Sequence, residues 1–236
     1  MKRGGYMSGF SQWVNACFSN TGVVDAILVT LQMALCSASI ASVIGIFLGM
    51  CLERVNFPGK RIVIRINRTL MGVPPVVIGL FVYMLLMRKG PLGKLELLFT
   101  VPGMVIAQVL IITPIVCGIT YTSLVSKAPA IRTFAKTMGA NAYQTQLLVI
   151  KELRNEVYFA VVSGFGRSIS EVGAVMLVGG NIKGHTRTMT TTISLLKSQG
   201  IFSEGLMLGF LLLLMSFLIQ SLADFFQKGE KSNENY

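Results

Sequence analysis

Within SGFGRSISEVGAVMLVGGNI (163–182), two opposite charges, Arg167 and Glu171, stand four residues apart in a run that is otherwise apolar or small. On a helix, residues at i and i+4 share a face and reach one another, so the spacing predicts an ion pair. Such a pair has a physical motive in lipid, where an unpaired charge at mid-depth costs about 2.5–3.5 kcal/mol on insertion scales. Three readings are open. The pair could hold neighbouring helices or a gate, Arg167 could touch a passing anion, or the site could lie shallow enough for Arg167 to snorkel to the headgroups. Ser170 lies beside the pair. Asn181, Thr186 and Arg187 follow in GGNIKGHTRTMTTTI (179–193), a segment suited to receive an anion or simply to connect two spans.

Other chemistries are poorly served. His185 is the sole histidine, which excludes a zinc site built on several imidazoles. Cys17, Cys36, Cys51 and Cys117 form no CxxC pair and mostly lie in apolar runs, where free cysteine behaves as a small buried hydrophobe. No nucleophile–base constellation or carboxylate cluster stands out, which argues against a membrane-embedded enzyme. No G-x-x-x-x-G-K-[ST] phosphate loop is present. If transport is driven by ATP, hydrolysis must occur on another chain.

The elements that position these residues are membrane spans. The chain is 53% hydrophobic and only 13% charged, against about 25% charged in soluble domains. Its net charge of +11 comes from basic residues placed between apolar runs rather than on one face, a pattern of lipid contact and not of nucleic-acid binding. A membrane helix needs about 20 largely uncharged residues. Four uncharged windows qualify, Ala26–Leu52, Thr69–Met87, Leu97–Ser126 and Gly205–Ala223, and Val157–Ile182 is broken only by Arg167 and Glu171. The expectation is an all-α, polytopic chain forming one transmembrane domain over 1–236, with spans at about 24–52, 69–88, 99–123, 157–182 and 205–225. The first window is too long, and starts too late, for a cleaved signal.

Lysines and arginines flanking the spans set orientation. Arg54, Lys60, Arg61, Arg65 and Arg68 follow the first span, whereas residues 4–25 before it carry none. The amino end is therefore expected outside and the carboxyl end inside. Gly45-x-x-x-Gly49 and Gly205-x-x-x-Gly209 could let helices approach closely. Pro74-Pro75 and Pro114 should bend their spans and free carbonyls that a neighbour must satisfy.

On the inside lies KAPAIRTFAKTMGANAYQTQLLVIKELRNEV, residues 127–157. Pro129 is placed to start a helix. Ile131, Phe134, Ala135, Met138 and Ala142 then form one apolar stripe, and Gly139 permits a turn. By pattern alone this is an amphipathic helix, lying on the membrane surface or docking on a partner.

The spacing of Ala135, Gly139-Ala140 and Val149 resembles the cytoplasmic loop of ABC importer permeases, Glu-Ala-Ala, three residues, Gly, nine residues, Ile, one residue, Leu-Pro. Thr133 stands in place of the Glu, Phe134 in place of the first Ala, and Lys151-Glu152 in place of Leu-Pro. FPGK (57–60) and VPPVVIGL (73–80) resemble the molybdate/tungstate/sulfate branch. So do Arg167-x-x-x-Glu171-x-Gly173-Ala174, Gly180-Asn181-Ile182 and Thr186-Arg187-Thr188. The likeness runs from about 26 to 226 and is strongest to tungstate permeases.

That resemblance implies a type I ABC importer permease fold in the inner membrane, translocating tungstate, with molybdate or sulfate as alternatives. It implies a cytoplasmic ABC ATPase dimer that holds the ATP, an extracytoplasmic oxyanion-binding protein, and a second copy of this chain in the bilayer. No cofactor would be bound by this chain, and no nucleic acid would be a partner. Phe134, Ala135, Lys136, Met138, Gly139 and Ala140 would couple to the ATPase across the 127–156 loop. Arg167, Ser170, Glu171, Asn181, Thr186 and Arg187 would line the pathway or gate. From another class, an ion-coupled carrier would work without ATP, although the repeat symmetry common in carriers is not visible.

Overall fold

The computed structural model describes residues 21–232. Among them the regular structure is helical. The helices are α1 (Thr21–Arg54), α2 (Lys60–Met71), α3 (Pro75–Leu86), α4 (Val101–Thr137), α5 (Ala142–Glu152), α6 (Arg154–Ser170), α7 (Gly173–Gly179), α8 (Met189–Ser198) and α9 (Phe202–Ser232). Three of them, α1, α4 and α9, are long and apolar enough to cross a bilayer. The bent pairs α2/α3 and α6/α7 raise the number to five if each counts as one span.

The frame is the pairing of α1 with α4. Ser37 bonds Gln108, Gly45 abuts Val116 and Gly49 abuts Thr120, a constant offset of 71 residues. A constant offset means the two helices run parallel and in register. Both glycines of the first small-residue motif lie in this contact, as close helix approach requires. In the other motif, a Cβ on Gly205 or Gly209 would find its nearest neighbour at 3.7 or 3.9 Å, ordinary contact, so among the described residues that motif makes no tight approach.

A buried polar cluster ties α6 to this pair. Ser37 Oγ and Ser168 Oγ both reach Gln108 Oε1, at 2.5 and 2.7 Å, and Gln108 Nε2 donates to the Ser168 carbonyl at 3.0 Å. All three residues are at most 1% exposed. A satisfied polar cluster in an apolar medium fixes register, because sliding any helix would leave its members unpaired.

Two expected spans are broken helices, and one expected helix start needs correction. Over 69–88 the chain bends as its prolines imply, α2 and α3 meeting at 102°. Thr69–Met71 belong to α2, and Gly72 with the Pro74-Pro75 step breaks the chain, since the residue before a proline is pushed out of the helical region. The twelve residues of α3 span about 18 Å, short of a hydrocarbon core of about 30 Å. The span expected at 157–182 is also broken: α6 and α7 differ in direction by 59°, and Glu171 lies in extended backbone between them.

Pro129, finally, starts no helix. It lies inside α4, which continues for 37 residues from Val101 to Thr137. That is about 55 Å, so the helix overruns any membrane core. Leu124 and Ala128 pack against Val149 and Leu153, and this burial holds the overrun together despite the missing N–H. At Pro114, the Asn67 amide of α2 donates to the proline's own carbonyl at 3.1 Å, so a neighbouring helix lies against α4 there. Of the cysteines, Cys117 is buried, Cys51 half-buried and Cys36 exposed, while Cys17 falls outside the described residues.

Candidate coupling tip and ion-pair site

The end of α4 and the whole of α5 form a helix–turn–helix tip. Gly139 (φ +75°) takes the left-handed conformation, in which a glycine closes the helix without a Cβ penalty. The Ala140 N–H bonds the Ala135 carbonyl at 3.0 Å and the Gly139 N–H bonds the Lys136 carbonyl at 3.1 Å, the paired bonds of a Schellman ending. Asn141 then opens α5 with a capping box, its side chain accepting from the Gln144 N–H while the Gln144 side chain accepts from the Asn141 N–H. Two well-satisfied ends back to back make a rigid corner.

The apolar stripe expected over 131–142 is cut by the turn, with Ala142 on α5, and its α4 part is unevenly buried. Ala135 is buried beneath the tip, whereas Phe134 is 60% and Met138 72% exposed. Lys136 is exposed and Ala140 half-buried. Tyr143, Leu147 and Ile150 on α5 are also exposed. Their i, i+4, i+7 spacing makes a second apolar stripe, beyond the one expected on 131–142. Together these side chains give the tip an apolar surface of the kind that seats in a groove.

The tip is clamped to the bundle. Arg132 on α4 grips Glu53 at the end of α1 through two parallel bonds, Nη1–Oε1 at 2.6 Å and Nη2–Oε2 at 2.8 Å. The Glu53 side chain is only 11% exposed. Fork-on-fork pairing fixes direction as well as distance, so the two helices cannot rotate independently there. The two residues lie 79 apart in sequence, and no local signal joins them. Lys127 pairs with Glu156 nearby, linking α4 to α6.

At the α6/α7 break, Arg167 and Glu171 do pair, Nη2 to Oε2 at 3.5 Å. They do so across a helix end rather than along one continuous face. Glu171 is 4% exposed. Its other oxygen, Oε1, accepts the Ala174 N–H at 3.1 Å, and its backbone carbonyl accepts from Thr190 Oγ1 at 3.0 Å. The carboxylate therefore caps the first turn of α7, where free N–H groups favour negative charge. Arg167 keeps its side chain 38% exposed. Ser170 is exposed and donates back to the Arg167 carbonyl.

Asn181, Thr186 and Arg187 form a separate cluster. Arg187 donates to the Asn181 side chain at 3.2 Å and to its carbonyl at 3.3 Å. Thr186 is buried, accepts the Ile182 N–H and donates to the Gly179 carbonyl. These groups hold a turn, with Asn181 itself in the left-handed region at φ +53°. The expected site thus divides into a capped ion pair and a self-satisfied turn, joined through Thr190 on α8. Among the described residues, no group of His, Cys, Asp or Glu is arranged to hold a metal.

Residues 41–231 match the family described as binding-protein-dependent transport system inner membrane component. The chain is 42% identical over 199 residues, 84% of this chain and 87% of the other, to the tungstate uptake system permease protein TupB of Peptoclostridium acidaminophilum. It is 28% identical over 227 residues, 90% and 78%, to the sulfate transport system permease protein CysW of Escherichia coli K12. Among solved structures, a bacterial ABC transporter involved in the import of the acidic polysaccharide alginate superposes with a TM-score of 0.75, covering 93% of this chain and 83% of that one. At 17% identity this last likeness speaks for the fold alone. With its helical, lipid-suited architecture, the chain belongs to the binding-protein-dependent transport system inner membrane component family, as a multi-pass ABC importer permease of the molybdate/tungstate/sulfate branch and not itself an enzyme.

Proposed function

We propose that this chain is the permease of an ATP-driven tungstate importer. It would act as two copies, with a cytoplasmic ABC ATPase dimer beneath and an extracytoplasmic oxyanion-binding protein above. The amino end lies outside and the carboxyl end inside. The observation that carries the reading is the tip at 131–150, a rigid corner with Phe134, Met138, Tyr143, Leu147 and Ile150 exposed and a bidentate clamp behind it. Basic residues gather at the same end, where parallel α1 and α4 both finish, which supports placing the tip in the cytoplasm. The tungstate assignment draws support from the 42% identical relative.

In this mechanism ATP binds the partner and this chain turns the partner's closure into helix motion. The tip seats in a groove of the ATPase. Displacement passes along α4, whose 37 residues run uninterrupted, and through Arg132–Glu53 into α1. Tungstate is a tetrahedral dianion, and a permease must let it go. Neutral dipoles serve better than strong cationic contacts, since they stabilise the ion without trapping it. Arg167 and Glu171 accordingly hold the α6/α7 break in shape instead of binding cargo.

The test is uptake into vesicles containing the reconstituted chain, with the ATPase, the binding protein and internal ATP each present or omitted. Tungstate accumulation is expected only when all are present, with molybdate and sulfate competing weakly. Accumulation by the permease alone would mean an ion-coupled carrier. Stronger competition by sulfate or molybdate than by unlabelled tungstate would reassign the cargo within the branch.

A further inference from the structure

Where α1 gives way to α2, a cavity of about 700 Å³ opens, walled by Phe57, Lys60, Arg61, Ile62, Arg65 and Tyr121. We propose that it is a binding site for the phosphate headgroup of an anionic phospholipid. The pathway described above does not use it, and the proposal depends only on the chain's residence in a membrane.

The charge of Arg61 and Arg65 in the cavity is uncompensated. Among the described residues, no carboxylate lies within ion-pairing distance of Arg61 or Arg65. Glu53, the acid near Lys60 in space, is bonded to Arg132; it accepts a hydrogen bond from Lys60 only at its backbone carbonyl, at 3.1 Å, and otherwise meets that charge through space. The other partner of Lys60 is the neutral Asn56 side chain at 3.2 Å, which leaves the ammonium one N–H in hand. Arg61 and Arg65 stand at i and i+4 on one face, an arrangement that repels unless an anion sits between them. Gly59 opens α2 in the left-handed conformation, and a Cβ there would meet nothing within 4 Å, so no side chain closes this edge of the cavity. Guanidinium forks and an ammonium together are the donors that phosphate oxygens take up.

Depth and amphipathy select a lipid over a free ion. Tyr121 lies six residues before Lys127, where charge resumes on α4, so it is about 9 Å inside that boundary, within reach of the headgroup layer where tyrosine concentrates. Beside the cations, α2 exposes Ile62, Val63, Ile66 and Leu70. The helix turns 102° away from α3, so it does not follow that helix through the bilayer. A basic face next to an apolar face suits one ligand that is anionic at its head and hydrocarbon below.

The experiment uses the purified permease in neutral detergent after delipidation. Thermal midpoints are measured against added phosphatidylglycerol, phosphatidylcholine, inorganic phosphate and tungstate. Phosphatidylglycerol is expected to bind about 25-fold more tightly than phosphatidylcholine, about fivefold for each of two basic groups near the phosphate. Arg61→Gln/Arg65→Gln should bring the ratio within about twofold, while Lys94→Gln, beyond α3 and away from the cavity, leaves it unchanged. A wild-type ratio near one, or a ratio unaffected by Arg61→Gln/Arg65→Gln, overturns the proposal. So would equal protection by inorganic phosphate or tungstate, which would give the cavity to a free oxyanion. Binding is read without ATP or transport, so failure here leaves the importer assignment standing, and failure of transport leaves this result intact.

Discussion

Gly45 and Gly49 set how closely α1 approaches α4, and the effect of a side chain there can be worked from distances. A Cβ on Gly45 would stand 2.8 Å from Val116 Cβ, and one on Gly49 would stand 2.9 Å from Thr120 Cβ. Ordinary contact begins at 3.4 Å, so the shortfalls are 0.6 Å (3.4 − 2.8) and 0.5 Å (3.4 − 2.9). The obstructing atoms are Cβ carbons and, at Gly49, the Cys117 carbonyl at 3.0 Å. None can rotate aside, so the helices must part. Overpacking of this kind costs about 1–3 kcal/mol, while alanine returns about 1 kcal/mol of helix propensity. The expected net loss is about 1 kcal/mol per site. At Gly209 the same Cβ would meet Ile193 Cδ1 at 3.9 Å, which involves no overpacking and leaves only the propensity gain. Gly45→Ala/Gly49→Ala should therefore melt several degrees below wild type in detergent, read as the fraction remaining monodisperse after heating, and Gly209→Ala should melt at or above it. Propensity favours the double variant, with two added alanines against one, so a lower midpoint for it can come only from the close contacts. Equal midpoints for the double variant and Gly209→Ala would refute the close-contact reasoning.

The Glu53–Arg132 pair is intermediate between exposed pairs, worth under about 1 kcal/mol, and buried ones, whose disruption costs about 3–5 kcal/mol. Glu53→Gln or Arg132→Gln alone should cost about 2 kcal/mol by thermal unfolding, and the double variant less than the sum of the singles; strict additivity would show that the pair is not coupled. At the α6/α7 break, Arg167→Met leaves a buried carboxylate unpaired and should cost about 2 kcal/mol, whereas Glu171→Gln keeps the oxygen that accepts from Ala174 N and should cost about 1 kcal/mol. The double Arg167→Met/Glu171→Gln should then be no less stable than Arg167→Met, and a reversed order in unfolding midpoints would count against the capping role. Gly139→Val forces a β-branched residue into the left-handed region and should abolish ATP-dependent uptake while membrane insertion, followed by surface labelling, stays intact. Unchanged uptake would remove the tip from the coupling path.

Alternation of long uncharged windows with basic connectors is enough to specify a polytopic helical chain, because lipid offers backbone groups no partner and a helix satisfies its own. The turn at Gly139 was legible for the same local reason, a glycine just past an amphipathic run. So was the contact between Arg167 and Glu171, since their spacing brings them together even across a helix end. Pro129 misled because proline suits a first turn, yet here Ala128, Val149 and Leu153 bury the interior of α4 and outweigh one missing bond.

Local pattern is silent on what depends on a distant partner. Ala135 points in and Phe134 out because Leu124, Ala128, Val149 and Leu153 form a core on one side only. Two glycine motifs look alike in sequence, and only the 71-residue register of α1 on α4 makes one of them a contact. The Glu53–Arg132 clamp and the Ser37–Gln108–Ser168 cluster join positions that no helical or strand period relates. The sequence by itself determined which segments must be helices in lipid. Tertiary structure alone decided which faces meet, because steric fit and charge pairing are properties of two surfaces together.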